Sequence, residues 1–185
     1  MKKITAFCLT ATLVASLLTG CGEAASTPAS ESAAPSSVAA PAASESAAVQ
    51  VSGKSLTDIL AAVEAVNPIA NPRDLDDFAL ENDYRLTMDN IQDFVGKVSN
   101  DQGDAGTILV LKAAPGKGAD LEKELVTYQK DQTNYWGNYA EFADAQASAK
   151  EGRIVVNGDY AVLVFASLND GDYAAIDKAV EEALG

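Results

Sequence analysis

The sequence predicts an α+β domain, with an antiparallel sheet of about four strands packed on one side by three or four helices. Three observations point there. Thr107–Ala113 and Tyr160–Ala166 are apolar runs containing β-branched residues, which favours strands. Asn157 and Gly158 separate the second run from Arg153–Val156, and Asn-Gly between apolar runs is a strong hairpin signal because both residues accept positive φ. Helical periodicity flanks these strands. Short hairpins with helices between and after them build an antiparallel sheet with helices laid on it.

Ser55–Val66 is the first expected helix: Leu56, Ile59, Leu60 and Val63 fall at helical spacing, and Ser55 with Asp58 fits a capping box. Asn67 and Pro68 end it. Asp74–Tyr84 reads as a short helix or turn around Leu75, Phe78 and Leu80. Ile91–Ser99 is an expected strand, followed by a turn cluster at Asn100–Gly106. Ala119–Trp136 is the longest expected helix, with Leu121, Leu125, Tyr128 and Tyr135 on one stripe. Asp172–Leu184 closes the chain as a helix with Tyr173, Ile176, Val180 and Leu184 on one face.

Upstream, the composition changes twice. Residues 1–20 read as an export signal, with Lys2 and Lys3 before an uncharged apolar stretch, Ile4–Leu18, that is too short to span a bilayer. Leu18, Thr19, Gly20 and Cys21 resemble the lipobox of bacterial lipoprotein precursors. That resemblance implies cleavage before Cys21 and attachment of lipid to its thiol, and two acyl chains suffice for stable anchoring. Cys8 leaves with the signal, so the mature domain has no thiol for a disulfide. Residues 21–53 comprise the lipidated Cys21 and a tether of mostly Ala, Ser and Pro without aromatic residues. Such a segment buries too little apolar surface to offset its ordering entropy, and as a coil it spans roughly 30 Å. Residues 54–185 form the single folded domain.

Composition excludes several activities. With no His, the chain can build neither a Ser-His-Asp triad nor a His-ligated metal site. A net charge of −14 opposes sequence-independent binding to nucleic acid. No P-loop, Rossmann fingerprint or Gly-x-Ser-x-Gly is present, and no cofactor is expected.

The domain resembles small lipoproteins of Gram-positive, clostridial-type bacteria that carry an uncharacterised domain of unknown function. The residues carrying the resemblance are Thr107–Lys112, the long helix with Gln129 and Gln132, Tyr135–Tyr139, and the hairpin with Gly158 and Tyr160. The lipobox and the Ala/Ser/Pro tether match the same layout. The resemblance covers about Leu80–Leu184 and implies architecture, with no established activity. This chain departs from the pattern in its dense acidity and in ending soon after its last helix.

Two groups of residues are candidates for chemistry. Asp74, Asp76 and Asp77, Asp101 with Asp104, and Asn169, Asp170 and Asp172 are oxygen-rich, but none has EF-hand spacing. Helix caps and turns account for them, and no metal site is expected. Tyr135, Trp136 and Tyr139, with Phe142 nearby, form a candidate binding surface suited to stacking on a sugar or anchoring a peptide. The bland alternative packs these rings on the sheet. The expectation is therefore a protein on the extracytoplasmic face of the cell membrane, anchored by lipid, that binds an unknown extracytoplasmic protein or cell-wall ligand without catalysis. The alternative is a small cell-envelope hydrolase or transferase using carboxylates.

Overall fold

In the computed structural model the chain runs through β1 (Gln50–Val51), β2 (Lys54–Ser55), α1 (Leu56–Glu64), β3 (Pro72–Asp74), α2 (Asp77–Asn82), β4 (Ile91–Ser99) and β5 (Thr107–Ala113). It continues through α3 (Gly118–Gly137), α4 (Ala143–Glu151), β6 (Arg153–Asn157), β7 (Tyr160–Phe165) and α5 (Tyr173–Leu184). Residues 50–51, 54–167 and 171–185 are described. Cys21, its lipobox and most of the tether lie outside them, as do Asn169 and Asp170.

The main sheet is antiparallel throughout, in the order β3-β4-β5-β7-β6, while β1 and β2 pair only with each other. The α+β class is as expected, with five strands in that sheet. The additional strand is β3, three exposed residues paired with the end of β4. Nothing apolar marks so short an edge, and Pro72 argues against a strand except at an edge.

One expectation is corrected. Helices cover both faces of the sheet, not one. The reason lies in β5 and β7, which are apolar at every position from Ile108 to Leu111 and from Ala161 to Phe165. Their register places Ile108 opposite Val164 and Val110 opposite Val162, whereas Leu109 faces Leu163. Because side chains alternate across a strand, the first set points to one face and the second to the other. Ile108, Val110, Val162 and Val164 pack with Ile59 and Val63 of α1 and Ile176 and Val180 of α5. Leu109, Leu111, Leu163 and Phe165 pack with Leu80 of α2, Leu121 and Leu125 of α3, and Ala145 and Ala149 of α4. Each large side chain buried this way stabilises the fold by about 1.5–3 kcal/mol relative to exposure. One covering layer would leave half of these residues in water.

Local signals explain most boundaries. Ser55 and Asp58 close the expected capping box on α1. Asp76 caps α2 through the Ala79 amide, and Asp172 caps α5 through the amides of Ala174 and Ala175. The hairpin turn is Gly158–Asp159, one residue later than expected, because Asn157 stays in the ladder opposite Tyr160. Gly158 has φ +62°, and glycine in the first turn position fits a type II′ hairpin. The freed Asn157 side chain donates instead to the Leu184 carbonyl. α4 is a helix that the apolar pattern does not signal. Its buried face is Ala145, Ser148 and Ala149, small residues that admit close approach to α3.

Candidate functional site

α3 carries a stripe of Tyr128, Gln132 and Tyr135, four and three residues apart and so on one side of the helix. A cleft opens on each flank of that stripe, and all three residues line both. The larger, about 550 Å³, is walled by Tyr84, Arg85, Lys123, Asp131 and Asn138. The smaller, about 350 Å³, is walled by the Asn100–Ala105 turn, Arg73, Trp136 and Phe142. Volumes in this range suit small ligands or segments of longer ones.

The loop after α2 forms the outer wall of the larger cleft. Glu124 of α3 holds it, accepting from the Thr87 amide at 3.0 Å and from Asn90 Nδ2 at 2.8 Å. The Leu86 amide donates to the Leu80 carbonyl. Between these anchors Arg85 adopts φ +56°, a left-handed conformation uncommon outside glycine. Behind the loop, Tyr84 stacks on Tyr128 at 4.4 Å between ring centroids, and Tyr128 lies nearly parallel to Phe165 at 6.0 Å. This three-ring stack runs from the cleft into the core. Burial pushes the Tyr84 phenol pKa up and the Tyr128 phenol pKa well up, with each other's hydroxyl a further influence. The Tyr84 hydroxyl lies near Thr107 and Tyr128 yet makes no hydrogen bond of ordinary length.

The smaller cleft is where the aromatic group sits. Tyr135, Trp136, Tyr139 and Phe142 touch edge to face in a closed four-ring cluster, at centroid distances of 5.0, 5.9, 5.4 and 5.8 Å. Both readings of these residues meet here. Trp136 and Phe142 are partly buried against the core, while Tyr135 is 51% exposed and Tyr139 44% exposed. Trp136 Nε1 is shut from solvent and has no hydrogen-bond partner. Gly103, at φ +85°, lets the turn fit under Phe142, since a Cβ there would lie 2.9 Å from the ring.

The cations around the clefts are each paired with an aspartate. Arg73 pairs with Asp83 at 3.6 Å and Arg85 with Asp131 at 3.7 Å. Lys123 and Lys117 both reach Asp120, at 3.5 and 3.3 Å, and Lys117 above all holds the Asp120 carboxyl below its usual range. Four of the acids singled out in the sequence have structural tasks. Asp76 and Asp172 are helix caps, Asp101 accepts from Asn71, and Asp104 accepts from the Gly106 amide and the Ser167 hydroxyl. Among the described residues, no three His, Cys, Asp or Glu side chains converge to hold a metal.

Residues 66–166 match DUF4358, a domain of unknown function. The chain belongs to that family. The match begins earlier than the sequence resemblance and ends before α5, and it contains every residue that lines either cleft. All of α1 and all of α5, which cover the opposite face, lie outside the DUF4358 segment. No curated protein and no solved structure matches the chain. Sequence reasoning placed Tyr135, Trp136 and Tyr139 in a candidate surface; Tyr135 and Trp136 line the smaller cleft, and Tyr139 lies beside Tyr135 outside both linings. It did not find Tyr84 or Arg85, because the loop that brings them to α3 has no periodic signal. Tyr128 had a signal, its place seven residues before Tyr135, but that spacing also describes a core stripe.

Proposed function

We propose that this DUF4358 domain is a non-enzymatic binding module, held on the outer side of the cell membrane by lipid on Cys21, that takes its ligand in the clefts beside α3. The observation that carries the reading is the exposure of Tyr135 between the two clefts, with the exposed Tyr139 beside it and the partly buried Trp136 and Phe142 behind. Exposed rings backed by packed ones give a rigid surface, and rigid aromatic surface loses little entropy on binding. The export signal and lipobox supply the address, and the tether supplies reach. Among the described residues, no helix is long and apolar enough to cross a membrane. A carboxylate hydrolase would need two acids free to act on a substrate, whereas Asp83 and Asp131 are each paired with an arginine and Glu124, Asp101 and Asp104 accept hydrogen bonds from the protein itself.

The test is photocrosslinking in intact cells, with a photoreactive residue at position 135 or, as a control, at position 178. Lys178 is exposed on α5, the helix on the opposite face of the sheet. Capture from 135 and none from 178 supports the module. Equal capture from both, or none from 135, contradicts it.

A further inference from the structure

We infer that the ligand of these clefts is an uncharged oligosaccharide laid across the Tyr128–Tyr135 ridge. This rests on the binding reading above and gives it a ligand class.

Charge is the first argument. The cations at the cleft walls, Arg73, Arg85 and Lys123, are each engaged by an aspartate. Acids outnumber bases among the lining residues. An anionic ligand would have to break ion pairs and then face the released carboxylates, while a cationic one would have to displace the arginines from Asp83 and Asp131 or the hydrogen bonds that engage Glu124, Asp101 and Asp104. A neutral ligand leaves every pair intact.

Hydrogen-bonding capacity is the second. Gln132, Asn138, Asn100 and Gln102 bring side-chain amides to the walls, and Thr127 brings a hydroxyl. An amide both donates and accepts, which matches a sugar hydroxyl that does the same. Two further donors stand in the walls without a partner: the Tyr84 hydroxyl, on a residue only 3% exposed, and the Trp136 indole N–H. Buried polar groups are nearly always satisfied, so this deficit marks the cleft walls as short of hydrogen-bond partners, which a hydroxylated ligand supplies.

Shape is the third. Tyr135 offers an open ring to the apolar face of a pyranose, with a polar tip beside it. The two clefts share one ridge, so a ligand filling both crosses Tyr135, which favours a chain over a single sugar.

Trp136 is the only tryptophan in the chain and lines the smaller cleft, so intrinsic fluorescence of the mature full-length protein in detergent reports on this site. The probes are the uncharged hexamers of N-acetylglucosamine and of glucose, with poly(glycerol phosphate) as the anionic comparison. The expected result is a saturable change with at least one hexamer, tighter than with the polyanion. Tyr135→Ala weakens it about tenfold, the loss of roughly 1.4 kcal/mol expected for one stacked ring, with a smaller fall in melting temperature than Trp136→Ala gives and the protein still folded at the assay temperature. No saturable response to either hexamer overturns the inference, as does tighter binding of the polyanion. If position 135 still captures a partner in cells, only the ligand class has failed. If that capture fails too, the binding reading falls with it.

Discussion

Ser167 donates its hydroxyl to Asp104 Oδ2 at 2.5 Å, joining two buried residues from distant parts of the chain. The other carboxylate oxygen of Asp104 accepts from the Gly106 amide at 2.8 Å. The Ser167 amide donates to Asn67 Oδ1, and Asn67 Nδ2 donates to the Phe165 carbonyl. One polar network therefore fastens the Asn100–Gly106 turn to the end of β7 and to the segment after α1. Since that turn walls the smaller cleft, the network sets the shape of the site. Ser167→Ala removes the shortest bond to a buried carboxylate and is expected to cost about 1–3 kcal/mol. Denaturant unfolding measures the loss, and hydrogen exchange should quicken at residues 101–106 before it changes in α3.

Tyr84→Phe should act in the opposite direction. It removes a buried hydroxyl that has no hydrogen bond while keeping the ring stacked on Tyr128. The expected outcome is unchanged stability or a gain of up to about 1–2 kcal/mol. A loss of stability would mean that the hydroxyl has a partner.

The same two tyrosines give an alkaline signature. Burial raises both phenol pKa values above the unfolded value near 10. Below about pH 10 both states are protonated and the stability is fully present. As pH rises further, the unfolded chain loses its protons first and the folded state keeps them, so stability falls toward the folded pKa. Unfolding midpoints measured from about pH 9 upward should decline, and Tyr128→Phe should make the decline shallower, by at most about 1.4 kcal/mol per pH unit.

The aromatic cluster should separate into supporting and contacting residues. Trp136→Ala opens a hole beside the core and breaks edge contacts with Tyr135 and Phe142, at a cost of about 2 kcal/mol. Tyr139→Ala, at an exposed ring, should cost less than about 1 kcal/mol. Comparing melting curves of the two variants distinguishes a graded cluster from one that is uniformly core or uniformly surface.

Cys21→Ala should move the protein from the membrane fraction to the soluble or unprocessed fraction. Retention in the membrane with an unmodified terminus would remove the lipid anchor from the account.

Much of the fold was legible because its signals are local or periodic. The capping box at Ser55 and the apolar runs of β5 and β7 are written in adjacent residues, and the Asn-Gly pair marks the hairpin within one residue. The two-sided core is also written there, since strands apolar at consecutive positions, such as β5 and β7, need cover on both faces. β3 and α4 were not legible, since one is a short exposed edge and the other buries only small residues. At the site, Tyr135, Trp136 and Tyr139 were found as neighbours in sequence. Tyr84 and Arg85 come to them only through the fold, across a loop held by Glu124, and no local pattern encodes that meeting.

The central claim is that ligand binds beside α3. The most direct measurement is amide chemical-shift mapping of the Cys21→Ala protein during titration with solubilised cell-envelope material. Shifts are expected at Arg85, along Lys123–Tyr139 and in the 100–105 turn, with α1 and α5 unmoved. Shifts confined to α1 and α5, or none anywhere, would contradict it.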